Sequence, residues 1–530
     1  MAPVRKALHE NEGVRKYLVE STPEKKELSV NESKIVSLSS GLMAKEDIDK
    51  GCQIFKSMSF ITCIDFSVTT ICYHCLKGGG RLPLGDGVVP STEPKECHTK
   101  GWKRFHKDEC GILREFPNLT LPHLILYRIL FWKKRNKITD KVAKVLSLLD
   151  DHFGEYSDAE SGDAFFELAS SIRATANPDV ALNVVFRLLA AIQTNAIKLR
   201  HAEKSGSVGI ALDLLSCAIN HSCEPNAFLY LEDGRVIARS LRPIKSDEEV
   251  TISYCEPMLP LATRRDYLEA EYFFRCFCKR CETDKREEKA LVPNAVKSLK
   301  DLRNIQIAMV RLMNNTVSAT NTPGKHPGFE NITKMEADIL GLSRRVLKDG
   351  AWPEHLDPMP LVRNRLAQIY LNKDEHLSAL RNSLRGTLMS RYHNGPEWVN
   401  NLCLLAQCLV AIATLSPDSS FFNGGGFITM KETKCAIGGY GLRLCKDAST
   451  VFGGKSKYTE FLCEWYSWIA RSSDDPKPGT KEFEGLFWEA QKSLLEWADV
   501  DTGYGIDLGE MDASNIDEMC AKAFNKLSIK

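Results

Sequence analysis

Asn220-His221-Ser222-Cys223-Glu224-Pro225-Asn226 packs a histidine, two asparagines, a cysteine and a proline into one short run, directly after the apolar stretch Ile210 to Ile219. A polar cluster closing an apolar run reads as a site at the end of a buried element. Downstream, Cys276-Phe277-Cys278-Lys279-Arg280-Cys281 brings three thiols together and lacks one ligand for a four-cysteine metal site. Cys223 is the candidate for the fourth place, and four thiolates around one ion describe a closed, structural zinc site.

Between these two cysteine stretches the pattern is that of strands. Phe228-Leu229-Tyr230-Leu231 and Val236-Ile237-Ala238 flank Asp233-Gly234, the signature of a hairpin with a tight turn. Beyond it, Val250, Ile252 and Tyr254 alternate with Thr251 and Ser253, which predicts a strand with the tyrosine on its buried face. Upstream, Ile35 to Leu38, Leu42 to Ala44, Gln53 to Phe55 and Phe60 to Phe66 read as further strands, with turns at Ser39-Ser40-Gly41 and Asp49-Lys50-Gly51. Helical patterns occupy Leu121 to Trp132, Val142 to Leu149 and Ala181 to Ile197, the last ending near Asn195, and a loop is expected at Gly206 to Gly209.

A second cysteine cluster breaks the early strands from these helices. Cys72-Tyr73-His74-Cys75 is a C-x2-C knuckle, and Cys97, His98, Trp102, His106 and Cys110 follow across a Gly- and Pro-rich segment. That combination suits tetrahedral zinc with thiolate and imidazole ligands.

Bulk properties exclude more than they select. The chain has 530 residues, 43% hydrophobic and 26% charged, with a formal charge of +1. This is the composition of an ordinary soluble protein of several domains, with no global field toward nucleic acid or an acidic membrane. The polar start, Met1 to Glu20, has no apolar core for a signal peptide. The apolar run near Leu402 to Leu415 is interrupted by Gln407 and is expected to be a core helix too short for a bilayer. Eighteen cysteines in such a chain are metal ligands and buried thiols rather than disulfides, so a location in the cytoplasm, the nucleus or both is expected.

From about residue 290 only helices are expected. Leu361, Val362, Leu366, Ile369 and Tyr370 form one apolar stripe, Leu377, Leu380 and Leu384 another, and Phe421 to Phe427 reads as a glycine-rich loop. Paired helices without a strict period give a helical-repeat-like array.

Ser40-Gly41-Leu42, Asn220-His221-Ser222-Cys223-x-Pro225-Asn226, Glu248-Glu249-Val250-Thr251-Ile252-Ser253-Tyr254 and Cys276-x-Cys278-x2-Cys281 together resemble the SET domain. With a Cys/His insert after the first strands and a helical C-terminal half, the chain resembles the SET-MYND family of protein lysine methyltransferases, from about residue 33 to 284 and loosely beyond. The resemblance implies an α+β fold: a SET-type β-fold split by a zinc-finger-like insert and helices, followed by an all-α helical-repeat-like domain. The expected divisions are an arm (1–30), the first SET part (31–70), a degenerate MYND-like finger (71–115), a helical insert (116–205), the SET catalytic core (206–256), the post-SET zinc segment (257–284) and the helical, TPR-like domain (285–530).

The resemblance also implies chemistry. The methyl donor would be S-adenosylmethionine, held by Ser40, Gly41, Leu42, Asn195, Asn220, His221, Tyr254 and Phe274. Tyr254 and Tyr272 would be the catalytic pair, with Tyr272 and Phe274 lining a lysine channel. Cys223, Cys276, Cys278 and Cys281 would be the post-SET zinc ligands. The substrate would be a protein lysine, histone or non-histone, met by a monomer without membrane or direct nucleic-acid binding; further protein partners would use the helical domain.

Two departures from the family pattern stand out. Lys77 to Glu96 lacks three cysteines of a full MYND finger, so some of Cys72, His74, Cys75, Cys97, His98, His106 and Cys110 are expected to hold one zinc rather than two. Ser39 stands where the cofactor turn usually begins with glycine. These departures motivate an alternative to the methyltransferase reading, a catalytically weak or inactive SET-fold adaptor working through protein contacts.

Overall fold

The computed structural model describes residues 35–38, 41–65, 68, 71, 76, 99–100, 103, 107–116, 119–138, 143, 146–147, 149–158, 162–200, 207–213, 215–294, 298–320, 329–345, 347, 352–415, 429–469 and 480–508. The N-terminal arm (1–30), the Phe421 to Phe427 loop, Ser39 and Ser40, and the finger residues Cys72, His74, Cys75, Cys97, His98, Trp102 and His106 lie outside the described residues. The chain forms two units, one of residues 1–254 with 267–276 and one of residues 255–266 with 277–530.

The first unit is built on short strands: β1 (Ile35–Leu38), β2 (Gly41–Ala44), β3 (Gln53–Ser57), β4 (Ile61–Ile64), β5 (Ile197–Arg200), β6 (Ser207–Leu212), β7 (Asn220–His221), β8 (Ala227–Glu232), β9 (Arg235–Ser240) and β10 (Glu249–Ile252). They form three small sheets, ordered β1-β2-β10-β7, β3-β9-β8 and β4-β6-β5. Every pairing is antiparallel except β7 on β10, which sets Asn220 opposite Thr251 and His221 opposite Ile252. The β8–β9 hairpin closes through Asp233 and Gly234 at φ 49° and 75°, both left-handed, as the tight turn requires.

Helices α1 (Lys107–Glu115), α2 (Leu121–Lys134), α3 (Phe153–Asp158), α4 (Gly162–Ala176) and α5 (Leu182–Asn195) complete this unit. Leu124, Ile125 and Leu126 of α2, Leu189 and Ile192 of α5, and Leu42, Phe55, Leu199, Leu212, Ile219, Leu231 and Val250 of the sheets share one buried core. Removing each such side chain from water contributes about 1.5–3 kcal/mol. Inside that apolar mass Arg128 of α2 is paired with Glu109 of α1 and donates to the Thr62 carbonyl at 2.8 Å, so its charge is not left alone.

Three expectations are corrected here. The helix ends at Asn195, where its end is expected, but the chain beyond it is not helical: Ile197-Lys198-Leu199, β-branched and aliphatic in part, pairs with β6 as a strand. The loop expected at Gly206 to Gly209 is strand from Ser207, and Gly209 at φ 157° allows close approach, since a Cβ there would stand 2.1 Å from the Cys63 carbonyl oxygen. Strand β10 ends at Ile252, so Tyr254 sits half-buried in the following bend rather than on the strand's buried face.

The second unit contains α7 (Lys279–Asn294), α8 (Leu299–Thr320), α9 (Phe329–Ser343), α10 (Met359–Leu371), α11 (His376–Leu388), α12 (Gly395–Ala413), α13 (Met430–Phe452), α14 (Lys457–Ile469) and α15 (Lys481–Trp497), while α6 (Leu261–Tyr272) precedes them in the chain. Each helix from α10 to α13 packs on its successor, and α13 also receives α14 and α15. Leu361, Val362, Leu366, Ile369 and Tyr370 are buried as expected, with Leu380 and Leu384 facing them, but Leu377 is exposed because it lies in the first turn of α11. Gly439 has no alternative in α13: a Cβ would stand 2.1 Å from the Phe487 ring. Helix α12 begins seven residues before the expected apolar run (402 − 395) and, among the described residues, is the one helix long and apolar enough to cross a membrane by length and composition; its Trp398, Leu402, Leu405 and Leu409 are buried in the unit.

Candidate active site

Strand β7 delivers Asn220 and His221 to one end of the sheet, and the loop after it is bound to β10 on both sides. The Ser222 amide donates to the Ile252 carbonyl at 2.9 Å. Asn226, 1% exposed, donates through Nδ2 to the Glu249 carbonyl at 2.7 Å and accepts the Thr251 amide on Oδ1 at 2.8 Å. These bonds fix the bend that carries Tyr254.

His221 then ties that bend directly. Its Nδ1 lies 2.9 Å from the Tyr254 backbone nitrogen and accepts its N–H, while Nε2 lies 3.2 Å from the Cys223 sulfur. An imidazole that accepts on Nδ1 carries its proton on Nε2, so the Nε2–H is directed at the cysteine sulfur. Both ring nitrogens are therefore engaged within the chain, and the part of His221 left for a ligand is its ring face.

Four aromatic rings gather there. Tyr254 lies 4.8 Å from Tyr272 and 6.4 Å from Phe274 between ring centroids; His221 lies 5.3 Å from Tyr254 and 5.8 Å from Phe274. The Tyr254 hydroxyl donates to the Ile219 carbonyl at 2.5 Å, which leaves its oxygen lone pairs as acceptors. Burial, with Tyr267 and Tyr254 beside it, pushes the Tyr272 phenol far above its ordinary range, so it stays protonated.

The remaining expected cofactor residues divide. Asn220 donates through Nδ2 to Glu249 Oε1 at 2.5 Å, and both side chains crowd Gly41: a Cβ at Gly41, whose φ is 151°, would stand 2.3 Å from Glu249 Oε1. Asn195, 3% exposed, donates to the Asp150 and Ala191 carbonyls at 2.7 Å, and its Oδ1 is buried without a hydrogen-bond partner among the described residues. Leu42 is a core residue, 1% exposed, with its backbone between β1 and β10.

Residues 39–255 match the SET domain. The chain is 31% identical over 194 residues to the SET domain and MYND-type zinc finger protein 6 of Schizosaccharomyces pombe, covering 36% of this chain and 38% of that protein. It is 30% identical over 201 residues to the histone-lysine N-methyltransferase ASHR1 of Arabidopsis thaliana (35% and 40% coverage) and 25% identical over 275 residues to human histone-lysine N-methyltransferase SMYD3 (47% and 60%). The chain therefore carries a SET domain over residues 39–255 and is similar to SET-MYND proteins. Its matches span only 38% and 40% of the length of the first two relatives.

Beside this SET domain, the cysteine stretches converge as their spacing implied. The sulfurs of Cys223, Cys276, Cys278 and Cys281 all lie within 4.8 Å of one another, and all but the half-buried Cys278 are buried. Tetrahedral Zn–S bonds of about 2.3 Å set sulfurs roughly 3.8 Å apart, so the group fits one zinc ion. Of the finger ligands, Cys110 is described, half-buried on α1, and Cys72, Cys75, Cys97 and His106 lie outside the described residues.

Two residues of this SET site carried no functional signal in the sequence reading. Glu249 was read only as part of the strand motif, yet it holds Asn220 against Gly41. Phe273 lies between Tyr272 and Phe274 at φ 58°, a left-handed conformation rare for an aromatic residue. Its ring is 4.8 Å from Tyr156 and 5.4 Å from His152, whereas its neighbours' rings meet Tyr254. No local sequence pattern announces a left-handed phenylalanine.

Proposed function

We propose that the protein transfers a methyl group from S-adenosylmethionine to the side-chain amine of a lysine in a protein substrate. The observation that carries this reading is the aromatic group of His221, Tyr254, Tyr272 and Phe274, with the Tyr254 hydroxyl proton spent on the Ile219 carbonyl. Relatives whose names give histone-lysine N-methyltransferase activity support it.

The residues present fit the donor. Asn195 Oδ1 is a buried acceptor with no donor among the described residues, which an ammonium or a ring amine supplies, and the glycine at position 41 lets Asn220 and Glu249 close in where a Cβ would stand. Asn195, Asn220, the His221 and Phe274 rings and Gly41, with Ser40, would hold the cofactor. When bound, it supplies a sulfonium-activated methyl group.

The chain supplies the rest. A lysine amine has a pKa of about 10.4 in water and must be neutral to attack. Enclosure by Tyr254, Tyr272 and Phe274 disfavours the charged form by desolvation. The Tyr254 oxygen, with its proton committed, accepts polarised C–H or N–H groups, and the rigid ring walls align the amine for in-line displacement. Cys223, Cys276, Cys278 and Cys281 bind one structural zinc beside this wall.

The test is incubation with labelled S-adenosylmethionine and pools of histone and other proteins, with Tyr254→Phe as control, alongside a calorimetric titration with the cofactor. Label on lysine that depends on Tyr254 supports the reading. Absence of both cofactor binding and transfer overturns it in favour of a SET-fold adaptor.

A further inference from the structure

Asp213 is a buried carboxyl of the first unit that the reaction as described does not use. It follows β6, is 2% exposed and accepts three hydrogen bonds: the Ser216 N–H and Oγ–H on Oδ1 at 2.8 and 2.6 Å, and the Ser57 Oγ–H on Oδ2 at 2.8 Å. Its backbone carbonyl accepts the Cys217 N–H at 2.9 Å. A residue whose carbonyl takes a helical bond while its side chain takes the amide three positions on acts as an N-cap. Burial pushes this carboxyl above its ordinary range; a proton on Oδ2 would donate to Ser57, so Oδ1 stays an acceptor in either state.

What Asp213 caps is one turn of 3-10 helix, Ser216–Ala218, closed by the Ala218 N–H on the Leu215 carbonyl at 3.2 Å and the Ile219 N–H on the Ser216 carbonyl at 3.1 Å. So short a turn has few bonds of its own, and its cap decides whether it persists. Its far end is at the site. The Ile219 carbonyl accepts the Tyr254 hydroxyl at 2.5 Å, and the Cys217 S–H donates to the Asn195 carbonyl at 3.1 Å. Asp213 is thus joined to the Tyr254 hydroxyl by one capped turn and one hydrogen bond.

The chemistry gives that carbonyl a task. A neutral amine attacks with its one lone pair, and a tyrosine O–H free to rotate would donate to that lone pair and block it. Held on Ile219, the hydroxyl offers the amine only acceptor lone pairs, and the nucleophilic pair stays aligned with the methyl group.

We propose that Asp213 is a positioning residue for methyl transfer: by capping the Ser216–Ala218 turn it fixes the Ile219 carbonyl, which keeps the Tyr254 hydroxyl proton off the substrate amine. This rests on the methyltransferase reading above. Asp213 touches no reacting atom, so its effect falls on the rate of the aligned complex rather than on peptide capture.

The experiment uses the full chain carrying 3-fluorotyrosine, whose fluorine resonance reports the hydrogen bonding of the adjacent hydroxyl; the Tyr254 signal is the one missing in Tyr254→Phe. Asp213→Ala, Ser216→Ala and Asp213→Asn are compared with wild type for that signal. Unlabelled, they are compared for kcat and KM on a peptide found labelled by wild type, below the melting temperature of each. Asp213→Ala is expected to shift the Tyr254 signal and to lower kcat about tenfold, the scale of one oriented hydrogen bond, with KM unchanged. Ser216→Ala deletes one of the two bonds on Oδ1 and moves both readings the same way by less. Asp213→Asn keeps an acceptor for Ser216 and offers Ser57 an amide donor, so it retains the wild-type signal and rate. A wild-type signal or a wild-type kcat in Asp213→Ala overturns the proposal alone, and so does the same result in Ser216→Ala if Asp213→Ala does not fold. A rate in Asp213→Asn as low as in Asp213→Ala also overturns it, since the cap is then not what matters. A wild-type chain that transfers no methyl group overturns the methyltransferase reading and the catalytic role of Asp213 with it, while the Tyr254 signal, which needs no activity, still reads the link between the two residues.

Discussion

The Nδ1 of His221 accepts the backbone N–H of Tyr254 at 2.9 Å, while Nε2 of the same ring lies 3.2 Å from the Cys223 sulfur. One imidazole therefore spans the bend that carries the candidate catalytic tyrosine and a thiol of the candidate zinc group. The short run from Asn220 to Asn226 serves both, which is why a histidine and a cysteine stand so close in it.

That division of the ring makes His221 separable by substitution. An asparagine places its Oδ1 near the position of Nδ1, and a glutamine places a polar atom near Nε2. Both variants lose the ring face that would meet the cofactor, so they are compared with each other: His221→Asn is expected to be the faster of the two and to loosen zinc, whereas His221→Gln keeps zinc and strands the Tyr254 amide. Leaving that N–H unpaired costs about 1–3 kcal/mol, enough to displace the bend. Rates and zinc content measured on both variants decide it, and equal behaviour of the two would contradict the assignment.

Phe273 offers a test of the aromatic wall that touches no reacting group. Its left-handed φ of 58° costs roughly 1–2 kcal/mol for a residue with a Cβ, and packing on Tyr156 and His152 offsets it. Phe273→Gly relieves the strain but frees Tyr272 and Phe274 to move; Phe273→Ala keeps the strain and loses the packing. Both are expected to lower kcat at least tenfold, with Phe273→Ala also lowering the melting temperature more than Phe273→Gly. Calorimetric melting and steady-state rates check the order.

Much of this site was legible because its residues lie in short, local patterns. The hairpin around Asp233-Gly234, the strand Val250 to Ile252 and the C-x-C-x2-C run announce themselves within a few positions. The misplaced elements are those decided by distant partners. Ile197 to Arg200 is strand because β6 stands beside it, and Gly209 is strand because only a glycine fits against the Cys63 carbonyl. Glu249 and Phe273 escaped for the same reason: one matters through Gly41, more than two hundred positions earlier, and the other through Tyr156. Alternation puts Tyr254 on a buried strand face, but the chain bends at Tyr254 and Cys255, and there its ring meets Tyr272 and Phe274.

In the helical unit, Asp357 predicts a pH dependence. Burial pushes its carboxyl up to about 6, against the pull of Arg280 and Arg264, and Arg280 Nη2 stands 3.4 Å from its Oδ2. An acid whose folded pKa is raised binds more protons folded than unfolded, so its contribution is fully present below about 3.8 and is lost as pH rises through about 6. Relative to wild type, Asp357→Asn should gain stability between pH 4 and pH 7, by up to about 3 kcal/mol for a two-unit shift. The Arg280 ion pair forms only as Asp357 ionises, so the difference in slope between the two proteins reports that titration with its pairing included. Urea unfolding of both proteins at several pH values measures it, and parallel curves would contradict the assignment.

Zinc removal tests how far the wall depends on the thiol group. Cys276 follows Phe274 by two positions and Cys223 follows His221 by two, so an ion between their sulfurs holds the ends of both aromatic segments. Four thiolates brought within 4.8 Å without a cation repel one another and must take up protons, so stripping the ion frees the Cys276 to Cys281 segment. Cys223→Ser and chelator treatment are both expected to remove one zinc per chain, as read by metal analysis, and to lower transfer by more than tenfold although no group at the methyl acceptor has changed. Restoring zinc recovers the chelated wild type and leaves Cys223→Ser inactive, because a serine hydroxyl does not ionise as a thiol does near neutral pH. If Cys223→Ser kept its zinc and its full rate, the coupling between the thiol group and the aromatic wall would be wrong, and His221 would be holding Tyr254 unaided.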